Sequence, residues 1–297
     1  MHTARSASPS VDLRTLLRSI GQIVLQANAF TGALLVAALA MTDLRLACAA
    51  LIGAAAANFT AVLTGAARRD VEQGLHGFNG ALAALVAVLF ARAPLAALLL
   101  APLAATGAAL VQRAMRAPLA KWRQCPYSSP CLAATALWLP LVAVQHAPGS
   151  GQGATFSLDT FAAALLSGVA QTTFAQGASA GALIVAGIAI ASRRAAAFAL
   201  GGAIVSTVLL IALGASGGAF ADGVLGFNGA LAALALMSRG ARAALAAAAL
   251  AALIQWLAMQ AGIVALTAPF ALASWITVAI ARRVTLGETD VVIRTPS

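Results

Sequence analysis

Long apolar runs alternate along this chain with short polar breaks that hold nearly all of its charge. Ten runs stand out, at roughly 24–42, 46–66, 74–91, 95–112, 126–144, 173–191, 197–214, 223–238, 243–262 and 264–281. Each is close to the length of about 20 residues that a helix needs to cross a bilayer. A backbone in hydrocarbon has to satisfy its own polar groups, so such runs fold as helices. The pattern predicts an all-α polytopic membrane protein with about ten spans.

Composition supports this reading. Hydrophobic residues make up 62% of the 297 and charged residues 9%, far from the charged quarter of a soluble domain. A net charge of +10 would suit a nucleic-acid binder, but its placement argues against one. With the N-terminus in the cytoplasm and ten crossings, 16 of the 18 Arg and Lys residues fall on the cytoplasmic side, and only Arg45 and Arg92 fall outside. That bias fixes orientation in a membrane and predicts both termini cytoplasmic. Residues 1–14 read as a cytoplasmic tail without a cleavable signal peptide. From Val11 to Ile20, Leu13, Leu16, Leu17 and Ile20 share one face, which predicts a short helix lying in the interface. Cys48, Cys125 and Cys131 have no paired spacing and read as packing residues.

The segment Gly77-Phe78-Asn79-Gly80-Ala81-Leu82-Ala83-Ala84-Leu85 returns letter for letter 149 positions later, from Gly226 to Leu234. The same offset carries Gln22 onto Gln171 and Gly32-Ala33-Leu34 onto Gly181-Ala182-Leu183. Matches at one offset mean a duplicated half. The halves are predicted at 1–145 and 161–297, joined by a Gly-rich linker at 146–160. Five crossings per half is an odd number, so the copies lie in opposite orientation. Such inverted repeats form a solute site near the midplane where they meet.

Polar residues within the runs are few, and each is costly without a partner or a wet path. They are Gln22, Asn28, Asn58, Asn79, Ser128 and Ser129 in one half, and Gln171, Ser206, Asn228, Thr267 and Ser274 in the other. Asn79-Gly80 and Asn228-Gly229 read first as a helix-break and packing motif, in which glycine allows close approach and the amide bonds freed backbone groups. The neighbouring Phe78 and Phe227 read as pore residues. Ser128-Ser129-Pro130 and Thr267-Ala268-Pro269 form a second pair, 139 apart, where a proline breaks the helix beside a hydroxyl. Nothing in the sequence suggests a catalytic set, a metal cluster or a cofactor loop. No ionisable residue occupies the middle of a run, which favours a neutral solute over ion coupling. An ion-coupled secondary transporter of a small polar solute, or a channel for another small neutral solute, remains as the alternative.

With these residues in view, the chain resembles the urea transporter family of membrane channels. The resemblance covers nearly all of residues 15–283 and rests on Gly-Phe-Asn-Gly in each half, Gln171-Thr172-Thr173-Phe174, and Leu266-Thr267-Ala268-Pro269-Phe270 followed by Ser274-Trp275. It implies a bacterial inner-membrane homotrimer with one central pore per subunit, each half being five spanning helices plus a re-entrant helix, near 15–30 and 160–175. It implies passive passage of urea or a closely related small amide, with Phe174 and Phe227 walling one slot and Phe78 the other. Ser128 and Thr267 would be the central hydroxyls, with Gln22 and Gln171 beside the slots. The first half departs from the pattern: Leu25 stands where Phe174 has its ring, Ser128 where a Thr is expected, and Cys131 where Phe270 stands. Ile263-Val264 replaces the Leu-Pro that opens the family signature. These departures point to an altered preference among urea and related amides.

Overall fold

A computed structural model describes residues 11–141 and 157–293. Among them the protein is built of helices, with seven α-helices in each half. The first comprises α1 (Leu13–Gly21) with a 3-10 turn at Gln22–Val24, α2 (Ala29–Thr42), α3 (Leu44–Leu63), α4 (Arg68–Glu72), α5 (Gly77–Phe90), α6 (Pro94–Lys121) and α7 (Ser129–Trp138). The second comprises α8 (Leu158–Ala170) with a 3-10 turn at Gln171–Thr173, α9 (Ala178–Ala191), α10 (Arg193–Ala212), α11 (Gly217–Ala221), α12 (Phe227–Leu236), α13 (Ala241–Gln260) and α14 (Ala268–Ile293). The order of the α-helices is the same in both halves, while further 3-10 turns at Leu139–Leu141 and Met237–Arg239 are not doubled.

Ala- and Leu-rich stretches supply the helical propensity, and short polar residues punctuate it. Asn28 caps α2 by accepting from the Phe30 and Thr31 amides at 2.8 and 3.1 Å. Asp43 and Ser192 cap α3 and α10 in the same way. Every predicted run contains a helix, but their lengths are unequal. By length and composition α3, α6, α10 and α13 can each cross a membrane alone. The pairs α1–α2 and α8–α9, bent by 76° and 69°, raise the number to six. The apolar helices at Gly77–Phe90 and Ser129–Leu141 are shorter, as is α12. The bent pairs occupy the places expected for re-entrant segments.

Two expectations change. The segment from Val11 to Ile20 is not a free surface helix, because α1 is the first limb of a bent pair and packs on α2, α3 and α5. Its buried side is Thr15, Ser19 and Ile20, while Leu13 is 67% exposed. Polar residues can face inward there because Ser19 Oγ donates to the Thr15 carbonyl and accepts from Asn58 Nδ2 at 2.9 Å. The linker expected at 146–160 lies outside the described residues up to 156, and its last positions are already helical, since Ser157 caps α8. The first ten residues of the expected tail are likewise outside the described residues.

Where the halves meet, like touches like. Helix α2 packs on α9, one 3-10 turn on the other, and α7 on α14. Contacts between equivalent elements define a two-fold relation, here an approximate one within a single chain. Inside each half, glycine permits the closest helix crossing. A Cβ on Gly229 would run into the Gly202 carbonyl and Ser206 Cβ, as one on Gly80 would into Ala57 Cβ and the Gly53 carbonyl. Backbone cannot yield as a flexible side-chain tip does. Gly229→Ala is expected to destabilise the detergent-solubilised protein by about 1–3 kcal/mol. Gly107→Ala, whose Cβ meets nothing nearer than Ala134 Cβ at 3.9 Å, should be neutral or stabilising in the same thermal melt. Equal melting temperatures for the two variants would show that the α10–α12 crossing is not tight.

Candidate functional site

Each half contains one buried polar clamp. Asn79 Nδ2 donates to Gln112 Oε1 and to the Tyr127 carbonyl, both at 3.0 Å. Its Oδ1 accepts from the Cys131 amide at 3.2 Å, and Gln112 Nε2 donates to the Leu75 carbonyl at 2.6 Å. Asn228 repeats the arrangement with Gln255 Oε1 at 2.9 Å, the Leu266 carbonyl at 3.1 Å and the Phe270 amide at 3.2 Å, while Gln255 Nε2 reaches the Val224 carbonyl at 2.6 Å. Both asparagines are fully buried. Their amides are spent on backbone and on one Gln side chain each, holding the start of α7 or α14 against α5 or α12. Gln112 and Gln255 were not singled out by the sequence, because they lie 143 apart rather than 149.

The clamped carbonyls belong to strained residues. Tyr127 and Leu266 have φ of 46° and 47°, and Leu25 and Phe174, which close the 3-10 turns, have 59° and 63°. Left-handed backbone costs a side-chain-bearing residue about 1–2 kcal/mol, and such strain is held where function needs a particular exposure. Four bulky residues at two equivalent places carry it here. Pro130 and Pro269 sit in the first turns of α7 and α14, where their missing N–H is no loss. Neither proline interrupts a helix.

Gln22 Nε2 donates to the Gln73 carbonyl at 3.0 Å, and Gln171 Nε2 to the Asp222 carbonyl at 3.1 Å. Each glutamine therefore ties its 3-10 turn to the end of α4 or α11. Near the two-fold, Ser128 and Thr267, both buried, share a hydrogen bond of 2.8 Å between their hydroxyls. They line a narrow cleft of about 10 Å³, roughly the space of one water. The cleft straddles the axis, since Ile23 and Thr172, Leu82 and Leu231, and Ser128 and Thr267 are three equivalent pairs in its wall. It is lopsided as well, because Leu25, Phe78, Tyr127 and Phe270 line it without their counterparts.

Of the residues picked out by sequence, Leu25, Phe78, Ser128 and Thr267 share this cleft. Gln22, Gln171, Phe174 and Phe227 lie outside its lining, as do Asn79 and Asn228. Phe174 and Phe227 are half-buried on touching elements, the second 3-10 turn and α12. Tyr127, Thr172 and Phe270 are lining residues that the sequence reading did not assign to the pore.

No curated protein sequence matches the chain. The family model for urea transporters matches residues 13–282, a range that takes in both bent pairs, both clamps and the whole cleft. A duplicated, helical, membrane-spanning chain with this match is a transport protein and not an enzyme, and it belongs to the urea transporter family.

Proposed function

We propose that the chain is a passive channel for urea, or for a closely related small neutral amide, and that the cleft between the halves is the narrowest part of its path. The observation that carries this reading is the pair of buried hydroxyls, Ser128 and Thr267, meeting at 2.8 Å on the axis between aromatic and aliphatic walls. Urea is flat and uncharged, with amino groups that donate and a carbonyl that accepts. Moving it through an apolar passage without partners would cost several kcal/mol. Hydroxyls and broken-helix backbone can replace the water it sheds, while ring faces restrict thickness and disfavour hydrated ions. Phe174 with Phe227, and Phe78 with Leu25, would wall the two mouths. The ten lining residues include no Asp, Glu, Lys or Arg, which suits a neutral solute without ion coupling. By family resemblance the working unit is a homotrimer in the inner membrane, with both termini in the cytoplasm.

Stopped-flow urea entry into proteoliposomes, with no ion gradient imposed, tests the mechanism. Fast entry that saturates weakly and is indifferent to an added proton or sodium gradient is expected. Entry only with a gradient would replace the channel with a coupled carrier.

A further inference from the structure

We propose that Tyr127 is a specificity-determining residue of this pathway, offering its phenol hydroxyl to the passing solute from one side of the cleft only. The inference rests on reading the cleft as the path. Tyr127 immediately precedes the central Ser128 and lines the cleft with it. Its left-handed φ of 46° and the bond from Asn79 Nδ2 to its carbonyl fix its backbone. The ring is fixed as well, meeting Phe270 edge-on with centroids 5.1 Å apart and planes at 63°. The hydroxyl, by contrast, has no hydrogen-bond partner among the described residues. A rigid aromatic residue that lines a narrow passage and has an uncommitted hydroxyl is suited to bonding whatever occupies it.

The position is not doubled. Leu266 takes the equivalent place with the same strained φ, at 47°, and the same clamp on its carbonyl. Phe270 has Cys131 as its counterpart, and Leu25 has no ring to match Phe174. The rings that do line the cleft are those of Phe78, Tyr127 and Phe270, so Tyr127 supplies both aromatic wall and polar group where the first half has lost aromatic residues. A hydroxyl there accepts from an amino group. It should favour urea, which has two, over acetamide, in which a methyl replaces one.

The test compares urea and acetamide flux into proteoliposomes for the wild type, Tyr127→Phe, Tyr127→Leu and Thr267→Val. Tyr127→Phe keeps the ring and its contact with Phe270. It is expected to lower the urea-to-acetamide flux ratio about threefold to tenfold, the value of one hydrogen bond, with acetamide flux little changed. Tyr127→Leu copies the second half and should lower the ratio at least as much. An unchanged ratio in Tyr127→Phe overturns the proposal, even if Tyr127→Leu changes flux, because the residue would then act by packing alone. If Thr267→Val also leaves both fluxes unchanged, the reading of the cleft as the path has failed, and the proposal with it.

Discussion

Replacing Asn228 with Leu is expected to cost about 3–9 kcal/mol of stability, since three buried groups lose their partner together and each unmet group costs about 1–3 kcal/mol. The orphaned groups are Gln255 Oε1, the Leu266 carbonyl and the Phe270 amide. Leu matches Asn in branching but is bulkier, so overpacking adds to the loss of the hydrogen bonds. Asn228→Asp keeps an acceptor for the Phe270 amide but turns a carboxyl oxygen toward two other acceptors, Gln255 Oε1 and the Leu266 carbonyl. It should be at least as destabilising as Asn228→Leu. Asn79→Leu should match Asn228→Leu, given the same set of bonds in the first half. Thermal unfolding in detergent, followed by loss of the monodisperse species, measures all three. A loss below about 1 kcal/mol for Asn228→Leu would mean that the clamp is not what holds the broken backbone.

Thr267→Val is expected to slow urea flux about tenfold while leaving the fold intact. Valine has the shape of threonine, so the cleft keeps its width. It cannot share the 2.8 Å hydrogen bond with Ser128, nor replace one of the waters that the solute has shed. One lost hydrogen bond in a dry passage is worth about 1–1.5 kcal/mol, which in a rate is roughly fivefold to tenfold. Ser128→Ala should act in the same direction, and the double variant should be less than multiplicative, because the two hydroxyls form one polar station. Faster urea entry in Thr267→Val would instead identify the hydroxyl pair as a barrier that solute must break without compensation.

Much of this architecture was legible in the sequence because lipid narrows the choices. An apolar run in a bilayer has to become a helix, so each of the ten runs holds one. Gly-Phe-Asn-Gly stood out because Asn is scarce here and the copies are identical. What stayed hidden depended on contacts across the chain. Gln112 and Gln255 were missed because the repeat offset falls from 149 to 143 between each Asn and its Gln, and then to 139 at Ser128 and Thr267. A fixed offset does not find pairs that have drifted. The leucines at 13, 16 and 17 suggested a surface helix, but burial of α1 is set by Thr15 and Ser19, whose hydroxyls find local partners. The left-handed residues gave no signal, since Leu, Phe and Tyr stand where glycine or asparagine would have marked the turn. Tyr127 was overlooked because Leu266, at its place in the other copy, is unremarkable in an apolar run.

The contact of like with like between the halves bears on how such a chain can diverge. Each clamp is complete within its own half, and the surfaces that meet, α2 with α9 and α7 with α14, are equivalent ones. A single half would present the same surfaces to a second copy of itself, so an ancestral homodimer could have closed this cleft about a true axis. In that dimer every substitution near the axis is made twice, and a ring added at one mouth is added at the other. Fusion into one polypeptide removes that tie. Leu25 against Phe174, Tyr127 against Leu266 and Cys131 against Phe270 are differences that a homodimer cannot encode, and they let the two ends of one passage be tuned separately.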